Sequence, residues 1–361
     1  MCYITCPSQN DKINKIITTI IHESFLDIDA KDLSHIFNKF FLKNTAKNIQ
    51  FFLKQMYLDE ETLAIYDETN LKYQFQLWSI SKIGEEPEED IEIEEDNTKF
   101  DTDDIWNVRK GVASMLDTLT QNDCSITYIQ QWLNNINTII SNYKSYDIYH
   151  IEASLLALGA ISSVLSRTSN TLFIYCKSIV DTLIPIILSI CNEISNPFLR
   201  SISAFVLRCY CDQDQIPSDT IHSILLTLVH ILSLESHPEP IQASLSSLAH
   251  IIEKKSKEIL PYADTILNSC FERSDYFVGK CQLLFLDVLQ TISVASSNEI
   301  KTHSRISNYV YNLLLKDTSR KEIIEALADI LSSNCTYLSQ DMVKSVFDLS
   351  ISNLNRDILN G

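Results

Sequence analysis

The densest chemistry in this sequence is a run of carboxylates. Glu85, Glu86, Glu88, Glu89, Asp90, Glu92, Glu94, Glu95, Asp96, Asp101, Asp103 and Asp104 crowd one segment, with Lys99 the single base among them. Carboxylates at that density attract basic ligands over roughly a Debye length, about 8 Å at physiological salt. They lack the glycine-turned spacing of an EF-hand, which argues against a Ca²⁺ loop of that type. Soft metal ligands are no better arranged. Cys2-x3-Cys6 and Cys209-x-Cys211 each lack the second ligand pair that structural zinc requires, and neither H-E-x-x-H nor C-x-x-C occurs. His222 and His230 fall on one helical segment without the adjacent nucleophile and carboxylate that acyl transfer needs. The sequence offers no metal site, no cofactor site and no catalytic residue, so a non-enzyme is expected.

The elements that position these residues must be helices. Only 5 of 361 residues are glycine, and the internal ones, Gly84, Gly111, Gly159 and Gly279, are scattered. Nucleotide-binding loops, nucleophile elbows and most tight β-hairpins need clustered glycines and are thereby excluded. A net charge of −18 repels nucleic acid and favours basic partners. Cys176, Cys191, Cys209, Cys270 and Cys281 sit within apolar helical patterns, where a free thiol behaves as a small hydrophobe. The N-terminus lacks the basic start and apolar run of a signal peptide, and no apolar stretch approaches about 18 residues. The expectation is an intracellular chain in a reducing compartment, without membrane insertion.

Helical periodicity recurs nearly everywhere, as in Leu199, Ile202, Val206 and Cys209. Short breaks separate the helices, among them Ser195-Asn196-Pro197 and His237-Pro238-Glu239-Pro240. Asn196 before Pro197 makes a good cap, because the missing proline N–H is not needed in a first turn. The helices come in pairs. Second helices of each pair are expected near Trp106, His150, Pro197, Glu239, Tyr276 and Ser319, roughly 40–49 residues apart, the range of HEAT repeats. Each pair is too small to bury its own apolar face, so neighbours must stack. The fold class that follows is all-α: a right-handed HEAT-repeat (armadillo-like) α-solenoid, with the second helices on the concave side. Residues 1–83 read as a helical segment (10–25, 31–43, 45–57, 70–82) without clear repeat register. Residues 84–104 read as an acidic disordered loop inserted within one repeat, and 105–361 as the solenoid.

Specific residues then suggest kinship. Asp103-Asp104-Ile105-Trp106-Asn107-Val108-Arg109-Lys110, continuing to Met115-Leu116-Asp117, resembles the transportin (karyopherin-β2) branch of the importin-β family. The likeness continues through Glu152–Ile161, Leu183-Ile184-Pro185, Leu199–Ile202 and Ile259-Leu260-Pro261-Tyr262, covering roughly residues 100–295. The resemblance implies a nuclear import receptor, moving between cytoplasm and nucleus, that binds extended basic cargo signals ending in Pro-Tyr on its concave face. It implies cargo-binding roles for Asp117, Leu156, Ile202 and Asp287. Phe205 stands where the family has a tryptophan, Glu253 aligns with another cargo-binding acid, and Val294 replaces a further one. The resemblance also implies the GTPase Ran as a partner, through an N-terminal arch. Residues 1–82 do not display that arch, so Ran is expected to leave cargo binding nearly unchanged. With about seven repeats visible, the chain reads as a fragment of a larger receptor or a reduced homologue.

Taken alone, these positions have plainer readings. Asp117 points away from the Val108–Val112–Met115–Leu119 stripe, as any solvated helix acid does. Asp287 shares a narrow polar face with Lys280, and ordinary packing between repeats accounts for Ile202 and Phe205 about as well as a cargo pocket. Lys254, Lys255 and Lys257 beside Glu253 would repel a basic peptide. The competing function is a HEAT scaffold that organises a protein complex without a transport role.

Overall fold

In a computed structural model of the chain, the described residues are 45–58, 60–81, 108–120, 126–166, 171–214, 216–296 and 303–316, with a few isolated positions beyond. The acidic run 85–104, the helices expected within 10–43 and the helix expected near Ser319 lie outside them. Twelve helices of ten or more residues organise the described part: α1 (Thr45–Gln55), α2 (Glu60–Ser81), α3 (Val108–Thr120), α4 (Ile126–Ser141), α5 (Ile148–Ser162), α6 (Thr171–Glu193), α7 (Pro197–Tyr210), α8 (Ser218–Leu234), α9 (Pro238–Lys254), α10 (Ala263–Glu272), α11 (Lys280–Ser296) and α12 (His303–Lys316). Among the described residues there is no strand.

From α3 onward the helices form two layers. Second helices α3, α5, α7, α9 and α11 stack in order on one another, and first helices α4, α6, α8 and α10 stack in a parallel row. From α5 onward each second helix also packs on the first helix that precedes it, as α5 does on α4 and α9 on α8. The contacts between second helices are the more extensive. In a curved solenoid the inner layer has the shorter arc and the closer spacing, and the more extensive contacts between second helices fit their expected place on the concave side. This is the HEAT-repeat solenoid that the periodicity predicts.

The apolar stripe of each helix explains the stacking. Met115, Leu119, Trp132, Leu133, Leu158, Leu199, Val206, Leu228, Leu245, Leu248, Phe285 and Leu289 are all removed from solvent, within one continuous core. Burying each of the larger ones stabilises by roughly 1.5–3 kcal/mol. Two buried ion pairs lock the repeats together. Arg109 of α3 pairs with Glu152 of α5, and Arg200 of α7 pairs with Glu235 just before α9. Arg200 also donates from Nε to the Cys191 carbonyl at 3.1 Å, so its donors are used in a site that water cannot reach. The expected cap at Asn196 is present: its side chain accepts from the Leu199 N–H at 3.0 Å, with Pro197 in the first turn.

The described cysteines are free, and Cys176, Cys191, Cys211, Cys270 and Cys281 are buried. Burial pushes all five thiols up to about 12, the behaviour of small hydrophobes rather than nucleophiles.

Two elements depart from the sequence reading. Helix α6 is long and apolar enough over Leu172–Glu193 to cross a bilayer by length and composition, although no uninterrupted apolar run in the sequence reaches that length. Here α6 packs on α4, α7 and α8, which explains its broad apolar surface, while Lys177 and Asp181 pair at its exposed edge. Helix α2 begins at Glu60, ten residues before the helix expected from 70, and it does not stack beside α3 as the first half of a repeat. It packs against α9 instead.

Candidate peptide-binding site

A glycine sets up the centre of the concave face. A Cβ at Gly159 of α5 would overlap the Phe205 ring of α7, so only glycine lets the aromatic side chain lie in the seam between the two helices. Leu156 stands one turn before Gly159 and Ile202 one turn before Phe205, which places all three candidate apolar residues in that seam. Leu156 and Phe205 are half-buried, whereas Ile202 is only 9% exposed. Ile202 therefore serves the core first, and Leu156 and Phe205 provide the accessible surface.

Acids flank this seat. Asp117 lies in the last turn of α3, half-buried, and close enough that its charge acts on Cys209 of α7. Glu253 ends α9 and is exposed, and Asp287 lies midway along α11. Partial burial, reinforced by the like charge of Glu253, holds the Asp287 carboxyl above its ordinary range. The two acids are thus neighbours across the α9–α11 seam. A like-charged pair at an exposed seam is stabilised by any cation placed between them.

The lysines beside Glu253 are not equivalent. Lys255 turns inward and is buried, donating to the Gln213 carbonyl and, at 3.2 Å, to that of Asp214. Lys254 and Lys257 remain exposed. Val294, where the resemblance leads one to expect an acid, is 65% exposed and offers an apolar surface instead.

Two contacts between repeats escaped the sequence reading. The Arg208 guanidinium lies 5.8 Å above the Phe205 ring centroid and reaches Ser246 Oγ of α9 at 3.5 Å. His250 Nε2 of α9 meets Asp212 Oδ1, just past α7, at 2.6 Å. Both contacts join residues 38 positions apart. That separation is close to one repeat, so the signal was the period itself, applied to polar residues as well as apolar ones. The acidic residues from Glu85 to Asp104 lie outside the described residues. Among the described residues, no group of three or more His, Cys, Asp or Glu side chains is arranged to hold a metal ion.

A transportin of Dictyostelium discoideum is 23% identical over 258 residues, 69% of this chain but 26% of the relative. The chain thus spans about a quarter of that relative's length. No family model matches the chain. Among solved structures, one of Kap95p with RanGDP aligns over 93% of this chain and 44% of its own, with a TM-score of 0.49 and 14% identity. Yeast importin-β (Kap95p) aligns over 94% and 49%, with a TM-score of 0.45 and 12% identity. The kinship read from Trp106, Arg109 and Leu199–Ile202 holds: this chain resembles the karyopherin-β (importin-β) family, through a transportin, over part of a receptor's length.

Proposed function

We propose that the chain is a nuclear import receptor, or a part of one, that holds extended basic cargo peptides along the concave layer. The observation that supports this most is the arrangement on consecutive second helices: an apolar seat at Leu156 and Phe205, with Asp117 on one side and the Glu253–Asp287 pair on the other. Such a surface suits an extended peptide that sets an apolar or aromatic group, as in a Pro-Tyr motif, on the seat and basic residues against the acids beside it. Exposed acids alone give weak, salt-screened attraction of about 0–1 kcal/mol per pair, so the aromatic seat should dominate affinity. Transport between cytoplasm and nucleus belongs to the same reading.

Calorimetry with a basic peptide ending in Pro-Tyr tests it. Truncation of a hot-spot side chain costs about 2 kcal/mol or more, so Phe205→Ala should weaken binding about 30-fold. A loss below about threefold (roughly 0.6 kcal/mol) would make Phe205 a packing residue and remove the seat. Coupling to Ran requires a second site that biases the same structural element. With an N-terminal arch not recognisable in the sequence, GTP-loaded Ran titrated into the receptor–peptide complex should leave peptide binding nearly unchanged. Release at micromolar Ran would contradict this.

A further inference from the structure

The apolar seat holds a cation among its acids. Arg208 lies one turn beyond Phe205 on α7, with its guanidinium 5.8 Å above the ring centroid. Across the seam to α9 it reaches Ser246 Oγ at 3.5 Å, a long contact for a hydrogen bond. Its natural partner would be Asp212, four residues on, at the spacing where helical ion pairs form. Asp212 is drawn to another group, His250 Nε2 at 2.6 Å. Among the described residues Arg208 joins no ion pair, whereas Arg109 and Arg200 each meet a glutamate.

This placement leaves a half-buried guanidinium short of partners. A guanidinium carries several N–H donors in a flat fork, and one long contact to a hydroxyl leaves most of them unused. The fork matches a carboxylate, which accepts two parallel N–H···O bonds from it. The ring of Phe205 beneath the guanidinium and Ser246 across the seam hold the fork at the seat. Charge fixes the sign of what it can take. Asp117 lies close enough for its charge to act on Cys209, the residue next to Arg208, and the Arg208 charge acts there too. An anion brought to the seat would be repelled by these acids unless a cation stood beside it. A basic peptide that ends at its aromatic residue carries such an anion, its terminal carboxylate.

We propose that Arg208 is a specificity-determining residue of the lane. It takes a carboxylate next to the aromatic group that Phe205 seats, supplied by the peptide's own C-terminus or by an acidic side chain that follows the aromatic residue. This inference rests on the peptide-binding reading above and deepens it. Arg208 gives the lane an anion-reading position at the seat, between cation-reading positions at Asp117 and at Glu253–Asp287. A lane of acids alone would favour basic residues all along the peptide; this one sets where they stop.

Calorimetry of the full chain with three basic peptides tests it: one ending in Pro-Tyr with a free acid terminus, the same peptide as its amide, and the amide continued by one glutamate. The free acid should bind the wild type about tenfold more tightly than the amide, the effect of one charge-assisted hydrogen bond. In Arg208→Gln that preference should vanish, with the two peptides moving in opposite directions. The acid should lose affinity, while the amide, relieved of a like charge, should bind as well or better. The glutamate peptide distinguishes the sources: binding like the free acid extends the site to an acidic side chain, and binding like the amide confines it to the chain terminus. Equal binding of acid and amide to the wild type, with both weakened by Phe205→Ala, would overturn this inference and leave the lane standing. Equal losses for acid and amide in Arg208→Gln would overturn it too, making Arg208 a packing residue. Binding of no peptide to the wild type would overturn the lane, and this inference with it.

Discussion

Helices α7 and α2 lie in contact through Phe198 and Tyr66, yet they are held by different physics. Helix α7 buries Leu199, Arg200, Ile202, Ser203, Ala204, Val206, Leu207 and Tyr210, and is clasped by α5, α6 and α9. Helix α2, half as long again, meets the N-terminal ends of the second helices through the Tyr66–Phe198 ring contact and the Tyr73 hydroxyl. The solenoid is therefore a ladder of packed rungs, and α2 is attached across the N-terminal ends of several of them. Length does not make a helix structural; a continuous buried stripe does.

The largest expected effect breaks the ladder and not the attachment. Arg200→Met leaves Glu235 buried and unpaired, and losing one partner of such a pair costs about 3–5 kcal/mol. Urea unfolding should show that loss as a lower midpoint for the whole ladder. A shift confined to α2 exchange would mean that the ladder does not depend on this pair.

A smaller effect is expected at the seam between α5 and α7. Gly159→Ala sets a methyl group against the Phe205 ring, and overpacking of this kind costs about 1–3 kcal/mol. Adding Phe205→Leu should recover part of the stability but not the peptide affinity. Full recovery of both would show that the seam tolerates any apolar side chain.

On the attachment, Tyr73→Phe should cost about 1 kcal/mol locally and leave the melting temperature of the ladder unchanged. A fall in melting temperature would merge the two regions into one cooperative unit.

The smallest effect is electrostatic. Partial burial and Glu253 hold the folded-state pKa of Asp287 above its unfolded value, so the native state keeps this proton to higher pH. Ionisation of Asp287 then costs stability as pH rises through the raised value, and stability returns as pH falls through it. A basic peptide favours the ionised form, so its affinity should fall as pH drops through the same window. Asp287→Asn should flatten both dependences, and Glu253→Gln should move them to lower pH. Unchanged pH profiles in Glu253→Gln would mean that the two carboxyls do not sense each other.

The same contrast governs what could be read from sequence. The ladder was legible because Leu199, Ile202 and Val206 announce both a helix and the neighbours it must meet. The second helices begin at Val108, Ile148, Pro197, Pro238 and Lys280, within a few residues of the periods read from composition and caps. Helix α2 was half legible, since Tyr66, Tyr73 and Gln76 share a face but are polar, and their partners lie more than a hundred residues away. In the site, the glycine–aromatic pairing of Gly159 with Phe205 needs three-dimensional placement to be seen. The inward turn of Lys255 is hidden for the same reason, because a lysine buried by two carbonyls looks in sequence like any solvated one.

The central claim is that the second helices carry an acidic and aromatic lane for basic peptides. Hydrogen exchange of the full chain, with and without a saturating basic peptide ending in Pro-Tyr, tests this most directly. Protection should appear on the concave layer, in α5, α7, α9 and α11 around Leu156, Phe205, Glu253 and Asp287, while α2 and the first helices α4, α6 and α8 exchange as before. Protection centred on α2 or on the first helices, with the Phe205 region unchanged, would contradict it.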